Sequence, residues 1–351
     1  MSLRPVDGEP GEVFAELQDW WRAPDGPLVV RTSGSTGVAR NVALSHAALL
    51  ASATASQRRL GGPAAWVLAL PVSFVAGLQV LVRSLLAGTS PVLLGDHDGD
   101  WPAALAASAD AAGEAGVRRR CTALVPTQLH RLAQGDRLGE LAGFDAVLVG
   151  GSGVDDELLA EAHAAGVHAV TTYGMTETCG GCVYDGEPLD GMAVRVASDG
   201  RVHLAGPCLF DGYPDDPAAT EAALVDGWLR TQDLGRIDDD GKLHVLGRID
   251  DVVVSGGVNV ALPEVEQVLR SHPRVADVAV VGVADAEWGT RVVVVVQADG
   301  QAPTLDELRD HVAVSLPRTW APRGLTLVDH LQLLPNGKPD RVAAVQVAQA
   351  C

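Results

Sequence analysis

At 351 residues the chain has room for about two domains of roughly 150 residues, and it can bury a core without disulfide or metal staples. Apolar residues make up 47% and charged residues 20%, which excludes a disordered or fibrous chain. Lys and Arg number 26 against 45 acidic residues, and the net charge of −19 repels nucleic acid and anionic lipid over most of the surface.

The N-terminus, Met1 to Asp7, has no apolar signal core, and the longest apolar runs, such as 291–297, are too short to span a bilayer. The five cysteines are sparse and odd in number, as in a reducing compartment. A cytoplasmic protein without a membrane span is therefore expected. Up to about residue 185, strand-like and helix-like segments alternate. The strands are 27–31, 65–70, 123–125, 146–149 and 169–171, and the helices are 45–58, 77–87, 102–115, 127–133 and 155–165. That alternation predicts an α/β domain with a mainly parallel sheet. From 191 to 246 the pattern changes to short strands broken by Asp199-Gly200, Asp226-Gly227 and Asp240-Gly241, which predicts hairpins. A charged, glycine-led segment at 247–251 is a hinge candidate. Beyond it, helices at 262–270 and 304–315 with strands at 274–283 and 291–297 predict a small α+β domain over 252–351.

Five short segments carry chemistry. The first is Thr32-Ser33-Gly34-Ser35-Thr36-Gly37-Val38-Ala39-Arg40, read as lying after a strand and before a helix. Small hydroxyl and glycine residues let backbone N–H groups close around phosphate oxygens, and a following helix would add its positive end. The alternative is a flexible turn. The spacing of the Gly-x4-Gly-Lys-Ser/Thr loop is absent. The second is Thr172-Tyr173-Gly174-Met175-Thr176-Glu177-Thr178, placed after a strand ending at Thr171. Its tyrosine could stack on a base, and its Glu beside hydroxyls could hold Mg²⁺ against phosphates. In the third, Thr231 to Gly235, Asp233 could accept both hydroxyls of a ribose. The fourth is Gly247-Arg248-Ile249-Asp250-Asp251 with Ser255-Gly256-Gly257 beyond it, and the fifth is Leu334-Pro335-Asn336-Gly337-Lys338.

In order and spacing this set resembles the adenylate-forming superfamily of acyl-CoA synthetases, peptide-synthetase adenylation domains and luciferases, over about residues 28 to 341. The resemblance implies a large N-terminal domain (1–246), a hinge (247–251) and a small mobile C-terminal domain (252–351). It also implies two steps: a carboxylate attacks ATP to give an acyl-adenylate, and a thiol then displaces AMP. Thr32, Ser33, Gly34, Ser35, Thr36, Gly37 and Arg40 would serve the phosphates, and Gly150, Gly151 and Ser152 the adenine side. Tyr173 and Gly174 would flank the adenine, Thr176 would touch the α-phosphate, and Glu177 would hold Mg²⁺. Asp233 and Arg248 would meet the ribose, Asp250 marks the hinge, and Lys338 would bridge carboxylate and α-phosphate. Gly256 and Gly257 would line the approach of coenzyme A.

Two stretches are similar to the o-succinylbenzoate–CoA ligase branch of that superfamily in particular, 173–186 and 70–85. The second implies an acid pocket with Phe74, Gly77 and Arg83. Arg83 is the one charge in a long apolar helix, placed to meet a buried benzoate carboxylate. The alternatives are an arginine at the surface or one paired with a structural acid. The partners implied are ATP, CoA and a small carboxylic acid, with no nucleic acid; a homodimer is compatible with the sequence. Two departures stand out: Arg40 where most relatives have Lys, and Ser73-Phe74 where a His is usual. They leave room for a ligase of another aryl or acyl acid, or a non-catalytic nucleotide-binding relative. Cys179-Gly180-Gly181-Cys182 has metal spacing but no second Cys/His pair nearby, so a strand is expected there instead.

Overall fold

Proline at the first turn of a helix gives up only an N–H that has no partner there. Pro10 opens α1 (Pro10–Arg22) in this way, and Val13, Leu17 and Trp20 bury one face of the helix. The computed structural model describes residues 6–32, 40–334 and 339–349. The chain divides into two compact units, one from 1–197, 202–231 and 237–244, the other from 198–201, 232–236 and 245–351.

In the first unit, β1 (Leu28–Arg31) and β2 (Asn41–Leu44) pair antiparallel, Leu28 opposite Leu44 and Arg31 opposite Asn41. A second strand, paired with β1, thus stands between the 32–40 segment and the helix, which corrects the expected strand-to-helix turn. Val42, Ala43 and Leu44 are buried, so the chain pairs once more with β1 before α2 (His46–Arg59) begins. Ser45 caps that helix, its Oγ accepting from the Ala48 N–H at 3.3 Å.

Strand and helix then alternate through β3 (Ala64–Leu68), α3 (Val75–Ala87), β4 (Val92–Leu93), α4 (Trp101–Ala115), β5 (Arg119–Leu124), α5 (Pro126–Gln134), β6 (Ala146–Gly150), α6 (Asp156–Ala164) and β7 (Ala169–Met175). In the order β4-β3-β5-β6-β7 these strands run parallel, and β8 (Gly180–Tyr184) and β9 (Glu187–Pro188) extend the sheet antiparallel. A parallel sheet needs cover on both faces, and successive strand residues alternate between two cores accordingly. Trp66, Ala146 and Leu148 pack with Leu49, Leu78 and Leu81 of α2 and α3. Val67, Val147 and Val149 pack with Trp101, Leu129 and Leu158 of α4, α5 and α6.

Short strands follow: β10 (Ala193–Val196), β11 (Arg201–Ala205), then α7 (Pro217–Ala223), β12 (Leu224–Val225), β13 (Trp228–Ile237) and β14 (Leu243–Arg248). The β12–β13 turn is Asp226-Gly227 with φ of 52° and 76°. Both central residues are left-handed, the turn whose twist matches a hairpin.

The second unit continues with β15 (Val252–Ser255), β16 (Val258–Ala261), α8 (Leu262–Arg270), β17 (Val275–Asp285), β18 (Gly289–Ala298), α9 (Leu305–Ser315), β19 (Gly324–Val328) and α10 (Arg341–Gln349). Its sheet has the order β16-β15-β18-β17, with β19 parallel to β18. Val278, Val280, Val292 and Val294 face α8 and α9, while Ala279, Val281 and Val293 face α10. Among the described residues no helix is long and apolar enough to cross a membrane.

Candidate functional site

At the base of the β1–β2 loop, the Thr32 N–H donates to the Arg40 carbonyl at 2.8 Å and the Arg40 N–H to Thr32 Oγ1 at 3.2 Å. Ser33, Gly34, Ser35, Thr36 and Gly37 lie outside the described residues. The Arg40 guanidinium lies over the Tyr213 ring, 5.3 Å from its centroid.

The ends of β6 and β7 come together through glycine. A Cβ on Gly150 would stand 2.1 Å from Thr172 Oγ1, and one on Gly174 would stand 2.1 Å from the Gly180 carbonyl oxygen. The strand continues through Tyr173 and Gly174 to Met175, four residues past its expected end at Thr171, because β8 returns to pair with it there. Gly151 and Ser152 follow β6 as an exposed bend. A 3₁₀ turn, Thr176–Thr178, joins β7 to β8. Thr178 fastens it at both ends: its Oγ1 accepts from the Met175 N–H at 2.9 Å and donates to the Gly180 carbonyl at 2.7 Å.

This turn presents Glu177, half-buried, with its carbonyl accepting from the Phe210 N–H at 2.9 Å. Its Oε1 accepts from the Tyr213 hydroxyl at 2.8 Å. Burial first, and the Glu177 charge second, push the Tyr213 phenol above its ordinary pKa, so it stays a donor. Among the described residues Glu177 has no ion-pair partner, and no group of three or more His, Cys, Asp or Glu could hold a metal by itself. An oxygen-only set of one carboxylate with the neighbouring Thr176 hydroxyl suits Mg²⁺, which keeps waters and shares its coordination with substrate phosphates.

On α3, Arg83 is 5% exposed. Its Nη2 donates to Tyr184 Oη at 3.2 Å, its guanidinium lies 5.0 Å from the Trp66 ring, and its buried Nε has no partner. It is neither a surface arginine nor, among the described residues, paired with an acid. Phe74 is the half-exposed residue that precedes α3. Gly77 has a packing reason to be glycine, since a Cβ there would stand 2.2 Å from the Pro71 carbonyl oxygen.

In the second unit the Arg248 guanidinium donates to Asp233 Oδ1 at 3.3 Å and to Asp250 Oδ2 at 3.0 Å. The next residue, Asp251, accepts from Arg341 Nη1 at 2.5 Å. Burial raises the Asp251 carboxyl above its ordinary pKa, opposed by Arg341 and Arg248. Gly256 and Gly257, with φ of 58° and 80°, form the two-residue tip of the β15–β16 hairpin. A Cβ on Gly256 would stand 2.6 Å from the Trp288 ring. Lys338 lies outside the described residues.

The family described as AMP-binding enzyme matches residues 9–232, and the AMP-binding enzyme C-terminal domain matches 264–338. The chain belongs to the AMP-binding enzyme family. Within it, a probable 2-succinylbenzoate–CoA ligase of Mycobacterium tuberculosis is 46% identical over 327 residues, covering 92% of this chain and 84% of that protein. The 2-succinylbenzoate–CoA ligase of Listeria innocua is 31% identical over 347 residues, covering 94% and 72%. Among solved members, the o-succinylbenzoate CoA synthetase of Bacillus subtilis in complex with the acyl-adenylate intermediate OSB-AMP gives a TM-score of 0.77 at 28% identity, covering 90% of this chain and 68% of that one.

Three residues of this AMP-binding enzyme escape a reading by motif. Tyr213 lies 36 positions from the carboxylate it meets, and the only local hint is a Gly-Tyr-Pro turn. Gln79 and Ser52 both donate to the Cys179 carbonyl, at 2.7 and 3.2 Å, where Cys179 takes a left-handed φ of 53°. Nothing in α2 or α3 marks these two polar side chains as supports of the Thr-Glu turn.

Proposed function

We propose that the protein is an ATP- and Mg²⁺-dependent acid–thiol ligase that converts o-succinylbenzoate to o-succinylbenzoyl-CoA. In the first step a carboxylate oxygen attacks the α-phosphorus of ATP, the new O–P bond forms, and pyrophosphate leaves. In the second the CoA sulfur attacks the acyl carbon and AMP leaves. Mg²⁺, when bound, offsets charge on the phosphates. The chain's own residues do the rest. The 32–37 loop and Arg40 hold the β- and γ-phosphates, Tyr173 and Gly174 flank the adenine with Gly150, Gly151 and Ser152, and Thr176 touches the α-phosphate. Asp233 and Arg248 hold the ribose. Lys338 bridges the two anions that must meet in adenylation, where relief of their repulsion is greatest in the transition state.

Arg83 and Gly77 on α3, with Phe74 just before it, receive the benzoate carboxylate. A buried guanidinium with no acid partner among the described residues supports this role. Asp250 is the hinge between 1–246 and 252–351, about which the smaller part turns so that Gly256-Gly257 serves the thiol step. The reaction belongs in the cytoplasm, in keeping with four unpaired buried cysteines among the described residues.

The observation that carries the choice of acid is the relative at 46% identity across 92% of the chain, a probable 2-succinylbenzoate–CoA ligase. The test is pyrophosphate release over a panel of carboxylic acids, with and without CoA. Release with o-succinylbenzoate and thioester formation on adding CoA are expected; turnover confined to another acid would overturn the substrate.

A further inference from the structure

We propose that Tyr213 is a positioning residue for Glu177: its hydroxyl fixes the carboxylate for a Mg²⁺–nucleotide. The inference rests on the reading of Glu177 as the Mg²⁺ ligand and adds a residue outside the motifs.

The segment Phe210–Tyr213 grips residue 177 twice, by the Phe210 N–H on its carbonyl at 2.9 Å and by the Tyr213 hydroxyl on Oε1 at 2.8 Å. The gripping segment is itself fixed. The Asp211 N–H donates to the Ala43 carbonyl at 2.9 Å, the Ala43 N–H to the Gly212 carbonyl at 3.0 Å, and the Tyr213 N–H to Thr220 Oγ1 at 2.8 Å. A Cβ on Gly212 would stand 2.7 Å from Thr220 Cγ2, so the turn has no slack. Phe210 meets the Tyr213 ring edge-on at 4.9 Å.

Through Ala43 the segment is joined to β2, and β2 leads back to Arg40, whose guanidinium covers the Tyr213 ring. One buried side chain thus touches the Thr-Glu turn with its hydroxyl and the base of the 32–40 loop with its face. The chemistry follows from the donor. A neutral phenol occupies one carboxylate oxygen without cancelling the negative charge, and leaves Oε2 for a hard cation. A guanidinium in the same place would cancel the charge. Without the hydroxyl the carboxylate is free to turn.

The test is a Mg²⁺ titration of ATP binding by calorimetry, without acid or CoA, on the wild type and Tyr213→Phe. The variant is expected to need about tenfold more Mg²⁺ for half-maximal ATP binding, the scale of one hydrogen bond to a charged group. Its affinity for AMP in the absence of Mg²⁺ should match the wild type, which reports an intact site. In a Glu177→Gln background Tyr213→Phe should add nothing, since the phenol acts through the carboxylate. A variant with 4-aminophenylalanine at position 213, which keeps a para donor, should recover most of the shift. An unchanged Mg²⁺ midpoint in Tyr213→Phe, or full additivity with Glu177→Gln, overturns the inference and leaves Tyr213 as packing. A wild type whose ATP binding ignores Mg²⁺ would instead overturn the metal role of Glu177 itself.

Discussion

Replacing Arg83 by Met should separate what the guanidinium does for the fold from what it does for the substrate. The side chain is 5% exposed, with a 3.2 Å hydrogen bond to Tyr184 and the Trp66 ring at 5.0 Å. Losing that hydrogen bond forfeits about 1.5 kcal/mol, and losing the cation–π contact about 1 kcal/mol. Against this, a buried cation without an acid carries a desolvation penalty of several kcal/mol, which methionine of similar length removes. Tyr184 is not stranded by the change, because its hydroxyl also meets Ser56 Oγ at 2.9 Å. Stability should therefore be level or slightly higher, read as an equal or raised Tm. Binding should move the other way. A substrate carboxylate that loses its partner in a dry pocket costs about 2 kcal/mol or more, roughly a thirtyfold rise in KM for o-succinylbenzoate. The KM for ATP should hold, and a monocarboxylate analogue should be nearly indifferent. The assay is initial-rate thioester formation with each acid, beside thermal unfolding. A Tm lower by several degrees together with an unchanged KM for the acid would show the arginine to be structural, and equal losses for both acids would refute the pairing.

Lys338→Ala should abolish adenylate formation while a chemically supplied acyl-adenylate is still converted to the CoA ester, and Asp250→Pro should do the reverse by fixing φ at the hinge. Rapid-quench measurement of both half-reactions decides, and equal slowing of both steps by Lys338→Ala would remove the lysine's special role. Gly256→Ala places a Cβ at a φ of 58° and 2.6 Å from the Trp288 ring. It should destabilise the second unit by about 1–2 kcal/mol from the left-handed backbone alone, and slow thioester formation more than adenylation. Wild-type rates and Tm would exclude both effects. Burial pushes the Cys121 and Cys182 thiols up to about 12 and Cys208 to about 11. In a Cys351→Ser variant at pH 8 no thiol should react with Ellman's reagent until the protein unfolds, and a native titre of one or more would contradict that burial.

Much of the first unit is legible because a buried parallel sheet writes itself as short apolar runs between alanine- and leucine-rich helices. Strand β6 and helix α3 each lie within two residues of where the pattern puts them. Strand β2 is lost because only four residues separate a polar loop from the cap at Ser45, too few to show a period. Strand β8 is found where a strand is expected over 179–182, although Gly180 and Gly181 are residues that usually weaken one. Gly180 takes a left-handed φ of 92°, and a Cβ on Gly181 would stand 3.0 Å from Thr172 Cβ on β7. At the candidate site the contrast has the same cause. Thr176, Glu177, Arg248 and Asp250 sit in short segments with a chemical signature. The groups that hold them in place come from far along the chain. Arg341 reaches Asp251 across 90 positions and Gln79 reaches Cys179 across 100, and no local pattern encodes such a meeting.

Gly150 and Gly174, at the ends of two neighbouring strands, have a consequence for how the enzyme can change over evolution. Side chains are excluded there by backbone and by Thr172 at 2.1 Å, so even alanine is refused on steric grounds before any question of chemistry arises. Glycine also loses more conformational freedom on folding than any other residue, a standing cost that selection keeps in exchange for that close approach. Drift in ligand preference is then confined to residues that project from outside this edge, such as those of α3. If this edge holds the adenine as proposed, it serves as a fixed datum against which a family of acids can be exchanged while the nucleotide stays where it is.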